Sequence, residues 1–173
     1  MTVTRAEGPG LVDAVRSFAR QGSVAVVCLG NELRGDDVVG KLVCEQLSRL
    51  CGDRYYIVYA GQDAGRVVGL ALEGYRVLAV DAVVYQAGKP GEIVVASLDD
   101  VVEDEGLPDS THRLQLHRFG RHVGSRILLV GVSVDPGNLG VGVTASRQVV
   151  EAAHSLVEAL AEALGCRERV EPL

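Results

Sequence analysis

A chain of 173 residues with 47% hydrophobic content suits one domain, 1–173, built around a single core. Its 17 basic residues against 23 acidic ones leave a net charge of −6, which argues against nucleic acid or an anionic membrane as the main partner, since both want a basic patch. No apolar run reaches the roughly 20 residues of a membrane span, and the opening MTVTRAEGPG lacks the apolar stretch of a signal peptide, so the expected location is cytoplasmic.

In chain order the pattern alternates helix and strand. Residues 10–21 read as a helix with Leu11, Val15, Phe18 and Ala19 on one face. Residues 24–29 are a continuous apolar run, the signature of a strand covered on both sides. A helix is predicted over 37–50, with Val39, Leu42, Val43 and Leu47 inward, then a strand over 55–60 and a short helix over 64–72. A strand over 76–80 closes on Asp81. The turn Gly88-Lys89-Pro90-Gly91 leads into a strand over 92–96. Residues 99–109 read as an acidic loop, 113–122 as a helix and 127–132 as a fifth strand. The long amphipathic helix over 144–164 has Thr144 as its expected N-cap. Such alternation predicts an α/β fold, a three-layer helix–sheet–helix sandwich. The fourth strand follows the third with no room for a crossover helix. It is therefore expected to run antiparallel to its neighbour, giving a five-stranded mixed, mostly parallel sheet.

The cysteines Cys28, Cys44, Cys51 and Cys166 contain no CxxC, so a zinc knuckle or a thioredoxin-type motif is unsupported. Cys28 in a strand and Cys44 in a helix are expected to be buried free thiols.

Sites in open α/β sheets form beyond the carboxyl ends of the parallel strands. Three groups meet that condition: Asp36 and Asp37 after the first strand, Asp81 at the end of the third, and the loop Asp109-Ser110-Thr111-His112. Two carboxylates and an imidazole make a three-point metal site. Each has a plainer explanation: a strand-end Asp caps a turn or helix, and an acidic pair favours the positive end of a helix dipole. His117 and His122 do not share a helical face with His112 and are expected to be surface or packing residues. No GxSxG elbow and no GxxxxGK[ST] loop occurs. A phosphoryl-accepting receiver domain also carries an acidic pair and a strand-end Asp. It needs a lysine after its last strand, where this chain reads Gly131-Val132-Ser133-Val134-Asp135-Pro136.

Taken together, the segments Gly30-Asn31-x-Leu33-x-Gly35-Asp36-Asp37-x-x-Gly40, Val80-Asp81-Ala82 with Gly88-Lys89-Pro90-Gly91-Glu92-Ile93, and Ser110-Thr111-His112 resemble the ordered blocks of the hydrogenase maturation endopeptidases. The likeness runs from about residue 24 to 164. It implies an enzyme that cuts a C-terminal peptide from the large-subunit precursor of a [NiFe] hydrogenase after nickel insertion. It also implies that Asp37, Asp81 and His112 are the metal-contacting and catalytic residues. The nickel is expected to arrive with the substrate, and the resemblance leaves open whether it does chemistry or only positions the peptide. Asp36 is expected to support the loop, glycines 30, 35 and 40 to allow tight turns and close approach, and Asn31 to tolerate an unusual backbone angle.

This chain departs from the family pattern at three places. Val38 follows the acidic pair where glycine is usual, Ala60-Gly61-Gln62 replaces Asp-Gly-Gly, and Val83-Val84-Tyr85 lacks a further acidic residue. A non-catalytic docking factor for the nickel-loaded subunit is therefore the alternative. A general metallohydrolase of small peptides is the third reading.

Overall fold

The computed structural model describes residues 4–5, 8–85, 88–98, 109–110 and 122–166. Its strands are β1 (Thr4–Arg5), β2 (Val24–Leu29), β3 (Tyr56–Gly61), β4 (Arg76–Val84), β5 (Ile93–Ser97), β6 (Asp109–Ser110) and β7 (Ile127–Ser133). The helices are α1 (Pro9–Ala19), α2 (Val39–Cys51), α3 (Gly65–Leu72) and α4 (Arg147–Ala163). The strands form one sheet in the order β1-β5-β7-β4-β2-β3, with β6 alongside β4. The five predicted strands are its five long members. β2 pairs in parallel with β3 and β4, and β4 in parallel with β7, whereas β5 is antiparallel to β7. The sequence predicts the antiparallel strand; its partner is the last strand rather than the third, because β5 leaves the 88–92 turn on the far side of β7.

Alternation along the strands feeds two cores. Val24, Val26 and Cys28 of β2 join a cluster with α1, α2 and α4, while Ala25, Val27 and Leu29 face α3. Every residue of β2 is buried, as an apolar run between two layers must be. On α2, Val39, Val43, Cys44, Leu47 and Cys51 recur at helical spacing and are all buried. Each such aliphatic side chain contributes about 1.5–3 kcal/mol on burial.

The thiols are not free. Cys28 is bonded to Cys44, and Cys51 to Cys166. α2 lies across β2 and brings Cys44 over Cys28 with 6.1 Å between Cα atoms, and its C-terminus meets the chain after α4 with 4.8 Å between the Cα atoms of Cys51 and Cys166. These separations are within bonding reach. Both bridges anchor α2. The groups that follow reinforce the second: Arg54 donates to the carbonyls of Gly165 and Cys166, and the Tyr55 hydroxyl to that of Leu164.

β4 runs on to Val84, beyond the expected end at residue 80. Its pairing with β2 stops at Val80, and the extension Ala82-Val83-Val84 stays extended between β7 and β6. Asp81 thus lies inside a strand, at the level where the neighbouring strand β2 ends. The N-cap of α4 is Ser146 rather than Thr144. No described helix is long and apolar enough to cross a membrane.

Candidate active site

The acidic pair sits in a 3-10 turn, Gly35–Val38, between the end of β2 and the start of α2. Backbone hydrogen bonds fix this connection. Gly30 N–H donates to the Gly61 carbonyl at 2.9 Å, and Asn31 N–H to that of Asp37 at 3.2 Å. Arg34 N–H donates to the Asn31 carbonyl at 3.1 Å, and Asp37 N–H to that of Arg34 at 3.0 Å. Glycines 30, 35 and 40 are all required by close approach; a Cβ on Gly35, whose φ is +50°, would fall 1.9 Å from the Asn138 carbonyl oxygen. A Cβ on Gly30, whose φ is +144°, would fall 2.1 Å from the Asp37 carbonyl oxygen. One on Gly40 would fall 1.9 Å from that of Leu29. Asn31 does not take a left-handed conformation; its Oδ1 accepts the Leu33 N–H at 3.0 Å, which closes the turn by side chain instead.

Asp36 and Asp37 have separate places. Asp36 is fully buried and accepts from Ser146 twice, from N–H at 2.6 Å and from the hydroxyl at 3.0 Å. It therefore ties the turn to the N-terminus of α4, whose positive end suits a carboxylate. The expected supporting role of Asp36 has this physical form. Asp37 is 3% exposed at the sheet edge, and the turn that carries it packs on β4. Asp81 is fully buried on β4, where one carboxylate oxygen accepts the Ala82 N–H at 2.9 Å. Both carboxylates are thus held at the carboxyl-end edge of the parallel strands. β6 reaches the same edge: Ser110 pairs with Val83 and Asp109 with Val84, antiparallel to β4. His112 and Thr111 lie outside the described residues, as do 99–108, 113–121 and so nearly all of the helix expected there. Among the described residues no three His, Cys, Asp or Glu side chains assemble as a metal site.

Tyr59 completes the wall. Its hydroxyl donates to the Gly30 carbonyl at 3.1 Å. Burial raises the phenol above its ordinary pKa, and the Glu32 and Asp37 carboxylates add to that shift. Lys41 pairs with Glu32, which raises the ammonium pKa and neutralises that carboxylate at the rim. With all four cysteines in disulfides, no thiol nucleophile is present. A broad groove between α1, the 88–92 turn and α4 lies away from the acidic pair.

The mixed, mostly parallel sheet with two buried carboxylates at its carboxyl-end edge defines an α/β protein of the maturation-protease fold. The chain belongs to the [NiFe] hydrogenase maturation protease family. It is 31% identical to the [NiFe] hydrogenase maturation protease HycI from Thermococcus kodakarensis KOD1, over 88% of this chain and 99% of that one, with a TM-score of 0.66. The hydrogenase 2 maturation peptidase from Thaumarchaeota archaeon SCGC_AB-539-E09 is 27% identical, over 84% of this chain and 100% of its own, with a TM-score of 0.59. The hydrogenase maturating endopeptidase HybD from E. coli, at 20% identity over 83% and 91%, shares the fold with a TM-score of 0.62. No family model matches the chain, and no curated protein does.

Proposed function

We propose that this chain is a cytoplasmic endopeptidase that removes a C-terminal peptide from the large-subunit precursor of a [NiFe] hydrogenase once nickel is in place. It reads that nickel through Asp37, Asp81 and His112. The observation that carries this reading is the delivery of Asp37 and Asp81, from different elements, to one buried edge of the sheet in a member of this family. The direction of β6 supports the third ligand: it runs toward Asp81, and His112 is the second residue after Ser110 in the sequence.

Two carboxylates and one imidazole supply three donors and leave coordination positions open. Asp37, Asp81 and His112 would hold the nickel brought by the precursor, which would position the peptide and could supply Lewis-acid polarisation of the scissile carbonyl or of a water. The protein's own part is to hold the donors rigidly. Gly30 and Gly40 permit the tight seat of the turn, Asp36 anchors it to α4, and Tyr59 fixes the Gly30 carbonyl. A nickel-free precursor offers these donors nothing to engage, so its peptide is not seated. The second reading, a docking factor without protease activity, is favoured by Ala60-Gly61-Gln62, whose Gly61 carbonyl is bonded to the site glycine Gly30.

The test is the intact mass of the precursor after incubation with this protein, nickel-loaded and nickel-free. Loss of a C-terminal peptide from the loaded form alone is expected. Loss from both forms refutes the reading of nickel, and binding with no loss from either favours the docking factor.

A further inference from the structure

Three of the six exposed large hydrophobic side chains among the described residues come from two loops that touch each other beside the acidic pair. Leu33 is 67% exposed, Val141 79% and Val143 40%; the other three, Leu50, Tyr56 and Leu72, belong to α2, β3 and α3. Single exposed hydrophobics are ordinary, whereas a concentration of them marks a contact surface. The patch is held in place by polar bonds beneath it. Gly142 N–H donates to the Leu33 carbonyl at 2.9 Å, and Arg34 Nε to that of Leu139 at 3.1 Å. Behind them Ser146 N–H is bonded to Asp36. The two loops therefore form one unit, and Leu33 stands four residues before Asp37 on the same connection.

We propose that Leu33, Val141 and Val143 form the docking surface for an apolar segment of the large-subunit precursor, seating it so that its nickel meets Asp37 and Asp81. This rests on the maturation-protease reading and adds the surface by which the enzyme selects its partner. The occupant follows from position and charge. A molecule lying on Leu33 is continuous with the turn that carries Asp37. Of the charged side chains nearest in sequence, Glu32 is compensated by Lys41, whereas Arg34 keeps its charge while its Nε is held by the Leu139 carbonyl. The surface thus offers apolar area with the exposed Arg34 cation at its edge, and apolar anchors dominate the energy of such interfaces.

The experiment compares the wild type with Leu33→Asp and Val141→Asp, and with Leu72→Asp, which alters an equally exposed leucine on α3. Two quantities are read on purified nickel-loaded precursor: its Kd for the protein, and KM and kcat for peptide release. Circular dichroism melts verify that each variant is folded, and Leu33→Met serves as the conservative rescue. The proposal expects Kd and KM to rise roughly tenfold or more for both patch variants, with kcat nearly unchanged and no effect of Leu72→Asp. Unchanged Kd in the patch variants overturns the proposal while leaving wild-type peptide release, and so the protease reading, intact. Absence of release by the wild type fails the protease reading, and the Kd comparison still decides the docking surface. No binding by the wild type overturns the docking surface.

Discussion

Replacing Asp36 by Ala removes an acceptor that nothing else supplies. The carboxylate is fully buried and takes both the N–H and the hydroxyl of Ser146, at 2.6 and 3.0 Å. Hydrogen bonds to a charged group contribute about 1.5–3 kcal/mol each, and a buried donor left unsatisfied costs its full desolvation. Two such bonds give an expected loss of about 3–6 kcal/mol. Ser146→Ala deletes only the hydroxyl bond and is expected to cost about 1.5–3 kcal/mol. The double variant should then cost little more than Asp36→Ala alone, because both single changes break one linkage; a coupling energy of about 1 kcal/mol or more is expected. Denaturant melts of the four proteins, with the slope checked for two-state behaviour, measure all three quantities. Losses for Asp36→Ala below about 1 kcal/mol, or strict additivity with Ser146→Ala, refute the anchoring of the turn to α4 through Asp36.

Three further outcomes follow from the same structure. Gly40→Ala gains about 1 kcal/mol of helix propensity, yet its methyl meets the Leu29 carbonyl oxygen at 1.9 Å, so a net loss of about 1–3 kcal/mol is expected in a denaturant melt; a gain contradicts the close packing of α2 on β2. Burial, with Glu32 and Asp37 nearby, holds the Tyr59 phenol above its ordinary 10.0. The fold therefore favours the neutral phenol, whose contribution is full below that pH and is lost as pH rises through the higher folded value. Tyr59→Phe should cost about 0.5–1.5 kcal/mol at neutral pH and flatten the alkaline fall in stability. Alkylation of the denatured, unreduced protein should add no label, since all four cysteines are paired. The Cys51–Cys166 bridge spans 115 residues, and chain-entropy reasoning puts its loss at about 4–5 kcal/mol by denaturant melt.

The long elements are legible in the sequence because burial writes itself into spacing. VAVVCL reads as a doubly covered strand, and the stripe on α4 reads as an amphipathic helix. β1 and β6 are not legible, because two residues carry no periodicity. The disulfides depend on how α2 crosses β2, and the Asp36–Ser146 link joins residues 110 apart in the chain, which no local pattern encodes. Composition favours Thr144 as the N-cap of α4; the structure uses Ser146, whose hydroxyl serves Asp36 and makes no capping bond of its own. At the site, strand ends and glycine spacing are enough to bring Asp37 and Asp81 to one edge. They are not enough to separate Asp36 from Asp37, since adjacent carboxylates look alike until one is seen bonded to a distant serine. The extension of β4 past Asp81 escapes a sequence reading because Asp commonly ends a strand, whereas here Val83 and Val84 find partners in β7 and β6.

The most direct test of the account is the rate of C-terminal peptide release from nickel-loaded precursor by the wild type, Asp37→Asn and Asp81→Asn, each first shown to be folded and to bind the precursor. The account predicts release by the wild type and a fall of roughly a hundredfold or more in both variants, the order expected when a group that positions a metal-polarised carbonyl is lost. Release at the wild-type rate by either folded variant contradicts it.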